Sequence, residues 1–285
     1  QYLSDIETGK VKPSEDLQQS LWEALERFNP DAPLEMLFDY VRIRFPTTDV
    51  QQVVENILQL KLSYFLHEDY GFYSYSEHYA LGDIFVLCSH ELDKGVLVEL
   101  KGRGCRQFES YLLAQQRSWY EFFMDVLVAG GVMKRLDLAI NDKTGILNIP
   151  VLTEKCQQEE CISVFRSFKS YRSGELVRKE EKECMGNTLY IGSLQSEVYF
   201  CIYEKDYEQY KKNDIPIEDA EVKNRFEIRL KNERAYYAVR DLLVYDNPEH
   251  TAFKIINRYI RFVDKDDYKP RSDWKLNEEW AWFIG

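Results

Sequence analysis

The sequence predicts an α+β fold: a duplicated unit with two curved, mainly antiparallel sheets and the helices on one side. Both halves of the chain contain segments in which apolar and polar residues alternate strictly, and these are followed by segments of helical periodicity. The halves also follow the same order of elements, with a period of about 100 residues, which is too long for a solenoid. The 45% hydrophobic and 14% aromatic content can fill the core of such a fold.

The elements of the first half follow from local patterns. Residues 1–36 are predicted to be a polar lead with one short amphipathic helix, SLWEALERF. Residues 39–45 (DYVRIRF) alternate and predict a strand, and Pro46 with the following TTD predicts a stop and a helix N-cap before VQQVVENILQL. Further strands are predicted near LSYFL and in EHYALGDIFVLCS and GVLVELKG. The segment RQFESYLLAQQRSWYEFFMDVLVA predicts one long helix or two, ended by AGG.

The second half repeats this order. It begins with the strand MKRLDLAIND and a Thr-Gly turn, which are followed by a predicted helix in VLTEKCQQEEC. Strands are predicted in ISVFRSFKSYR, NTLYIGS, EVYFCIYEK and NRFEIRLK, and a last helix in NERAYYAVRDLLVY. The string VLVELKGRGCRQFESYLL parallels RFEIRLKNERAYYAVRDLL, which supports a duplication. The alternative is two ordinary half-buried sheets that only resemble each other.

We therefore divide the chain into a lead (1–36), a first α+β repeat (37–130), a second α+β repeat (131–246) and a C-terminal extension (247–285). The chain starts without Met and stops just after an apolar stretch, so we expect this extension to be truncated. The two sheets would form a saddle, and the faces opposite the helices would stay free for a ligand as large as DNA.

Charge and composition limit the function classes. The net charge of −12 argues against a protein that coats nucleic acid. Basic residues nevertheless cluster at 101–106, 166–182 and 254–275, and local basic surfaces on an acidic body remain compatible with DNA binding. No apolar run reaches about eighteen residues and the N-terminus lacks a signal sequence, so we expect a cytoplasmic protein with no membrane partner.

Cysteine and histidine usage gives little support for a zinc site or a disulfide framework. Six cysteines are scattered without a CxxC motif, and several lie in apolar runs, which predicts reduced structural thiols: Cys88, Cys105, Cys156, Cys161, Cys184 and Cys201. The four histidines are dispersed, and no His-hydrophobe-His triplet occurs.

Alternation in the strands of the second half places polar side chains on one common face. If these strands are neighbours, five of these side chains converge: Asp137, Tyr190, Lys205, Glu227 and Arg229. Carboxylates on one face can hold Mg²⁺ or Mn²⁺, and a cation would stabilise the charge that builds up on a phosphodiester during attack by a tyrosine. Nearby lysine or arginine would lower the pKa of that tyrosine from its usual value of about 10.

A structural interpretation of the same residues stays open. Carboxylates and arginines on an exposed sheet commonly form cross-strand salt bridges. The chain has 20 tyrosines, so a given tyrosine is more often structural than catalytic. The turn GRGCR (102–106) could bind phosphate through its backbone and arginines, although a lone glycine-rich turn is weak evidence.

Four strings, in their order along the chain, resemble the Rep_trans family of replication initiation factors: VLVELKGRGCRQFE, KRLDLAIND, TLYIGSLQSEVYFCIYEKDYEQ and NRFEIRLKNERA. That family includes initiators of rolling-circle plasmids and related relaxases of Gram-positive conjugative transposons. The resemblance runs from about Asp39 to Tyr245. The chain looks closest to a conjugative-transposon relaxase, and a plasmid rolling-circle replication initiator with the same chemistry is the alternative.

The resemblance implies a metal-dependent enzyme that nicks one DNA strand at an origin of transfer or replication and forms a 5′-phosphotyrosyl intermediate. The nucleophile falls on Tyr190 of the TLYIGS string, with Lys205 and Arg229 as phosphate contacts. The positions for Mg²⁺ or Mn²⁺ fall on Asp137 and Glu227, and on Glu204 if a β-bulge turns it. Further DNA contacts are expected from basic residues of both halves: Lys101, Arg103, Arg106, Arg135 and Arg172.

In the first half, Tyr79 and Glu99 are predicted to occupy the places of Tyr190 and Glu227. No acidic residue matches Asp137 there, since VRIRF offers only arginines. We therefore expect one active site per chain, with the first half serving DNA binding. The expected partners are origin DNA in single- and double-stranded form, a second copy in a homodimer, and accessory DNA-processing proteins or a helicase. The rival interpretations are a water-using metal nuclease and a DNA-binding module without catalysis.

Overall fold

A ten-stranded antiparallel sheet organises the computed structural model, which describes Lys12, Ser14 and residues 32–91, 93–174 and 184–285. The strands are β1 (Leu34–Phe45), β2 (Leu66–Glu68), β3 (Glu77–Leu81), β4 (Ile84–Cys88), β5 (Val96–Lys101), β6 (Val132–Asp142), β8 (Phe168–Gly174), β9 (Cys184–Ile191), β10 (Val198–Glu204) and β11 (Asn224–Lys231). Their order across the sheet is β2-β3-β4-β5-β1-β6-β11-β10-β9-β8. A second sheet has the order β13-β12-β7 and is formed by β7 (Cys161–Ser163), β12 (Ile260–Asp264) and β13 (Lys275–Leu276).

Helices connect the strands and complete the second half. They are α1 (Val50–Gln52, continued by a π-helical turn Val53–Ile57), α2 (Arg103–Ala114), α3 (Trp119–Val128), α4 (Ile149–Gln157), α5 (Lys205–Asn213), α6 (Glu233–Tyr245), α7 (Pro248–Tyr259) and α8 (Glu278–Ile284). The helix predicted in SLWEALERF lies outside the described residues. None of the described helices is long and apolar enough to cross a membrane.

The strand order shows the predicted duplication. β1 and β6 lie side by side in the middle, and outward from them β5 corresponds to β11, β4 to β10, β3 to β9 and β2 to β8. The pair Val41 and Leu136 lies at the centre of this arrangement. The predicted α+β class is therefore confirmed, and the two predicted sheets are joined into one, because β1 and β6 pair along most of their length.

Both halves turn from strand to helix in the same way. Gly102 follows β5 with φ of 35°, and Asn232 follows β11 with φ of 48°. Asn is among the few residues other than glycine that adopt this left-handed region readily. The two positions are equivalent, so β5 and β11 align with Gly102 at the place of Asn232.

The long helical segment of the first half is two helices. Gln116 has φ of 54° and ends the first of them. Ser118 then caps α3 through a capping box with Glu121, in which each side chain bonds the other residue's backbone N–H. The break lets Trp119 and Phe123 of α3 pack against Phe38 of β1, with ring centroids 5.0 and 5.4 Å away.

The segment predicted as a C-terminal extension contributes to the core of the second half. Trp280 and Phe283 of α8 are each 1% exposed. Phe283 stacks on Phe226 of β11 with ring centroids 5.7 Å apart, and Trp280 contacts Phe262 of β12. Burial of large aromatic side chains of this kind stabilises a domain by a few kcal/mol each.

Three local predictions differ from the structure. LSYFL begins as a 3₁₀ turn (Leu62–Tyr64), and β2 starts only at Leu66. ISVFRSFKSYR is divided into β7 and β8, which pair with different sheets. KDYEQYKKN forms α5, which was not predicted because this helix buries only Asp206 and therefore has no apolar stripe.

Asp142, at the end of β6, holds the turn that follows it. Its fully buried carboxylate accepts hydrogen bonds from the backbone N–H groups of Thr144, Gly145 and Leu147, each at 2.9 Å, and from Asn224 at 3.0 Å. We expect Asp142→Ala to lower the free energy of unfolding by about 3 kcal/mol, because several buried donors lose their acceptor. Urea denaturation measures this loss. Asp142→Asn keeps one oxygen acceptor and should lose less, and an alanine variant as stable as the parent chain would contradict the assignment.

Candidate functional site

A cavity of about 880 Å³ is lined by residues of both halves. Its walls come from β1, β9, β10, β11, α5 and the start of α2. Its lining includes seven cationic side chains, Arg103, Arg106, Lys205, Lys211, Lys212, Arg225 and Arg229. Five carboxylates line it as well, those of Glu35, Asp39, Glu204, Glu208 and Glu227. The cavity thus has a local excess of positive charge on a chain whose net charge is −12, as binding of a phosphate backbone requires.

Tyr190 of β9 lies between this cavity and a second one of about 540 Å³, and it lines both. Opposite it in the sheet is Cys201, whose thiol is buried. Burial and the neighbouring Cys201 raise the pKa of Tyr190 to about 12. The phenol is therefore protonated at neutral pH and must lose its proton to act as a nucleophile.

The glycine of the TLYIGS string directs the chain away from the sheet just after this tyrosine. Gly192 has φ of 95°, and a Cβ there would lie 2.8 Å from the ring of Phe165. Its N–H donates to the Ser167 carbonyl at 2.8 Å. A larger residue would both strain the backbone and push on Phe165, so glycine is required for the position of the strand end.

Arg229 contacts two buried carboxylates. Its Nε donates to Glu227 at 2.8 Å, and the same atom lies 3.7 Å from Asp137 Oδ2. Arg135 also binds Asp137 through two hydrogen bonds of 2.8 and 2.6 Å. Burial raises the pKa of Asp137 to about 6, although both arginines act against this rise. The predicted convergence of Asp137, Glu227 and Arg229 is therefore present in the structure.

Lys205 and Glu204 lie at the end of β10. Lys205 forms an ion pair with Glu208 and lies 3.5 Å from the hydroxyl of Tyr203, which in turn donates to Glu227 at 3.0 Å. Glu204 was predicted to reach the site only if a β-bulge turned it. The pairing of β10 is regular on both sides, so no bulge is present there, and Glu204 lines the cavity without one. Its carboxylate accepts hydrogen bonds from the backbone and side chain of Asn187, at 2.7 and 2.9 Å.

The three predicted metal ligands do not form one compact group. Among the described residues, the only group of three His, Cys, Asp or Glu side chains with ligand atoms within 4.8 Å is His67, Asp69 and Glu77 of the first half. Asp137 and Glu227 nevertheless fit a hard divalent cation by their chemistry. Their carboxylates both contact the same guanidinium, so they already attract a positive charge to one place.

The predicted DNA contacts divide into two groups. Arg103 and Arg106 line the large cavity together with Tyr190. The other three, Lys101, Arg135 and Arg172, do not line it. Lys101 forms an ion pair with Glu99, and Arg135 forms one with Asp137. Arg172 lies opposite Asn187 in the sheet, on the other face of β8 from Lys169 and Tyr171. The basic residues Arg178, Lys179 and Lys182 lie outside the described residues.

The predicted match of Glu99 with Glu227 is wrong. Glu99 of β5 pairs with Arg42 of β1, whereas Arg229 of β11 pairs with Asp137 of β6. Glu99 therefore corresponds to Arg229, and the ion pair of the first half has its charges reversed. The arginine at the place of Asp137 agrees with the prediction that no acidic residue matches it.

The predicted match of Tyr79 with Tyr190 is also wrong. Tyr190 pairs with Cys201, and the pair at the same place in the first half is His78 with Leu87. His78 is 3% exposed and its Nδ1 lies 2.6 Å from the Tyr70 carbonyl. Within the described residues, the first half therefore has no tyrosine at the place of the proposed nucleophile.

Two residues beside Tyr190 were not predicted as part of the site. Lys169 of β8 lies directly opposite Tyr190, and the ring of Tyr171 meets that of Tyr190 edge to face, with centroids 5.8 Å apart. Alternation in SFKSYR does place both on one face. That signal could not be used, because only the three-dimensional structure shows that β8 is the neighbour of β9.

Comparisons with known proteins relate the chain to replication initiators and relaxases. Residues 131–285 match the Rep_trans family model, "Replication initiation factor", and residues 35–125 match "Rolling Circle replication initiation protein N-terminal domain". A Bacillus subtilis (strain 168) protein named "Putative DNA relaxase NicK" is 43% identical over 256 residues, which cover 90% of this chain and 72% of that protein. The solved rolling-circle replication initiator protein from Geobacillus stearothermophilus is 27% identical, with a TM-score of 0.75, and the alignment covers 88% of this chain and 96% of that one.

Proposed function

Because the chain belongs to the Rep_trans family of replication initiation factors, we propose that it nicks one strand of DNA at an origin by tyrosine attack. The family predicted from the sequence strings is thereby confirmed. The observation that carries the assignment of the nucleophile is the position of Tyr190, which opens to two cavities beside the Asp137, Glu227 and Arg229 cluster.

In the proposed reaction, the Tyr190 oxygen attacks the phosphorus of one phosphodiester. The new bond joins that oxygen to phosphorus, and the bond from phosphorus to the 3′ oxygen breaks. The products are a 5′-phosphotyrosyl linkage and a free 3′-hydroxyl. The phenolic proton is lost to solvent, and the departing 3′ oxygen takes up a proton from solvent. Arg229 lowers the cost of ionising Tyr190, and with Lys205 it would hold the negative charge of the phosphate. The stored bond allows the strand to be rejoined later without ATP.

We further propose that the reaction depends on Mg²⁺ or Mn²⁺ held by Asp137 and Glu227. Glu204, which does not form a compact group with them, stays a prediction as a third ligand. The ion would withdraw charge from a phosphate oxygen when bound. Arg229 competes with it, since this guanidinium already contacts both carboxylates. Tyr203 keeps the Glu227 carboxylate turned toward the cavity through its 3.0 Å hydrogen bond.

We assign DNA binding to the first repeat (residues 37–130) and the chemistry to the second repeat (residues 131–246). Arg103 and Arg106 of the first repeat reach the same cavity as Tyr190. Lys101, Arg135 and Arg172 remain predictions as DNA contacts, as do a homodimer and an accessory helicase. Initiators and relaxases share the nicking step, and the 43% identical relative favours a role in transfer.

The test uses overlapping single-stranded oligonucleotides from the DNA that flanks the chain's own gene, incubated with Mn²⁺ and run on a denaturing gel. The expected result is a slow, protease-sensitive band that carries a 3′-end label, while a 5′-end label marks only the shortened free strand. Cleavage without this band would favour the water-using nuclease. A footprint without cleavage would favour the DNA-binding module.

The rate of nicking is expected to rise with pH. Because the pKa of Tyr190 is about 12, the ionised fraction of the phenol increases about tenfold per pH unit throughout the neutral range, and the rate should follow it without a plateau. Single-turnover rates measured from about pH 7 to 9 test this. DNA binding measured over the same range is the control, and a rate that is flat while binding is constant would contradict the prediction.

A further inference from the structure

We propose that the smaller cavity beside Tyr190 is a subsite for one unpaired nucleobase next to the cleaved phosphodiester, with Tyr171 as its stacking surface. This inference rests on the proposed function, because it concerns the substrate of the same site. It goes further by assigning a subsite for one base next to the nick and a side chain that binds that base.

The position of Tyr190 defines the two sides of the substrate. It lines both the 880 Å³ and the 540 Å³ cavity, so a phosphodiester at its hydroxyl has one neighbouring nucleotide toward each. The smaller cavity has a volume within the range of pockets that hold small ligands. The larger cavity carries the charge cluster, and the smaller one is left for a neighbouring nucleoside.

The lining of the smaller cavity suits a nucleoside and its phosphate. Its polar side chains are Ser167, Lys169, Thr188, Ser193 and Gln195, together with the two tyrosines. The lining thus has hydroxyl and amide groups that can bond a base edge or a sugar, and one cation. No carboxylate is present in this lining among the described residues, which is notable for a chain with 49 acidic side chains.

Tyr171 has the exposure and the position of a stacking residue. Its side chain is 57% exposed, so the ring does not serve the core. Tyr171 belongs to β8, the edge strand of the sheet, and lies opposite Thr188 of β9. Its edge-to-face contact with Tyr190 holds it beside the proposed nucleophile. Aromatic rings in such positions bind the faces of unpaired bases in proteins that handle single strands.

Base pairing would prevent this interaction, because a paired base has both faces covered by its neighbours in the duplex. The subsite therefore requires that the nucleotide be unpaired before the attack. Lys169, directly opposite Tyr190, is placed to hold the phosphate that links this nucleotide to the next.

The experiment measures nicking by the full chain on a single-stranded oligonucleotide that carries one abasic site at each position around the nick in turn. The enzymes are the parent chain, Tyr171→Ala, Tyr171→Trp and the control Tyr268→Ala, whose ring is 99% exposed. On unmodified DNA, Tyr171→Ala should lower kcat/KM by roughly 10- to 100-fold, which is the size of one lost stacking interaction. Tyr171→Trp should restore the rate, and the Tyr268 variant should not change it.

The decisive readout is the combination of the variant with the abasic site. An abasic site at one flanking position should slow the parent chain as much as Tyr171→Ala does, and the two changes together should cost no more than either alone. Losses that multiply at every position, or full activity of Tyr171→Ala, would overturn the subsite while leaving the nicking function intact. If the parent chain forms no covalent product on any unmodified oligonucleotide, the proposed function fails, and the subsite fails with it.

Discussion

Tyr190→Phe is expected to abolish covalent capture of DNA and to lower the nicking rate by on the order of 10⁴-fold or more. The change removes a single oxygen, which is the atom that bonds to phosphorus in the proposed reaction. The ring remains, so the edge-to-face contact with Tyr171 and the shape of both cavities are kept. Binding of the same oligonucleotide, measured by fluorescence anisotropy, should stay within about twofold, because no charged group is lost.

The matched control is Tyr236→Phe on α6, which removes the same atom from a partly exposed ring that lines neither cavity. This variant should nick at the parent rate. If Tyr190→Phe still formed a protein–DNA adduct, the nucleophile would be another tyrosine, and Tyr203 would be the next to test since it lines the same cavity.

Arg229→Ala is expected to lower the free energy of unfolding by about 3 to 5 kcal/mol at neutral pH and to stop nicking. The guanidinium contacts two carboxylates that are 3% and 5% exposed, so its loss leaves buried negative charge without this partner. Urea denaturation of the parent chain and the variant gives the difference. Arg229→Lys keeps the charge without the two-pronged hydrogen bonds and should lose less of both stability and activity.

The destabilisation by Arg229→Ala should depend on pH. Burial already raises the pKa of Asp137 to about 6 against the effect of Arg229, so removal of the arginine raises this pKa further. The folded variant then binds a proton more tightly than the unfolded chain, and it gains stability as the pH falls through this range. The difference from the parent chain should therefore be largest above the raised pKa of Asp137 in the variant, shrink as the pH falls toward about 6, and be smallest below it.

Lys254→Ala is the control for the loss of a positive charge. Lys254 pairs with Asp241 at 2.6 Å, but its side chain is 53% exposed and its charge is screened by solvent, so its removal should cost far less stability than the removal of Arg229 at any of these pH values. A loss for Arg229→Ala that is no larger than this, or that is the same at every pH, would show that the two carboxylates do not depend on the arginine.

The proposed function assigns DNA binding to the positive cavity, which is how a chain with a net charge of −12 would hold a phosphate backbone. Phosphates interact with the charges that they approach within about 10 Å, because salt screens the more distant ones.

The sequence by itself determined which face of each strand carries the polar side chains of the proposed site. Asp137, Glu227 and Tyr190 were placed on one face from the alternation in RLDLAI, RFEIRL and TLYIGS. In the structure Asp137 and Glu227 both contact Arg229, and Tyr190 lines the same cavity as Glu227 and Arg229. This worked because side-chain direction in a strand has a period of two residues, which is a property of the local backbone. The family strings added the proposal that Tyr190 is the nucleophile, since alternation alone could not single it out among 20 tyrosines.

Only the tertiary structure decided which strands are neighbours and what the side chains meet there. It joined β1 to β6, placed Lys169 and Tyr171 beside Tyr190, and showed that Glu99 corresponds to Arg229. It also placed the polar helix α5 in the wall of the cavity and raised the pKa of Asp137 by burial. Strand pairing and burial depend on contacts between residues far apart in the chain, and a local pattern of polar and apolar residues does not specify them.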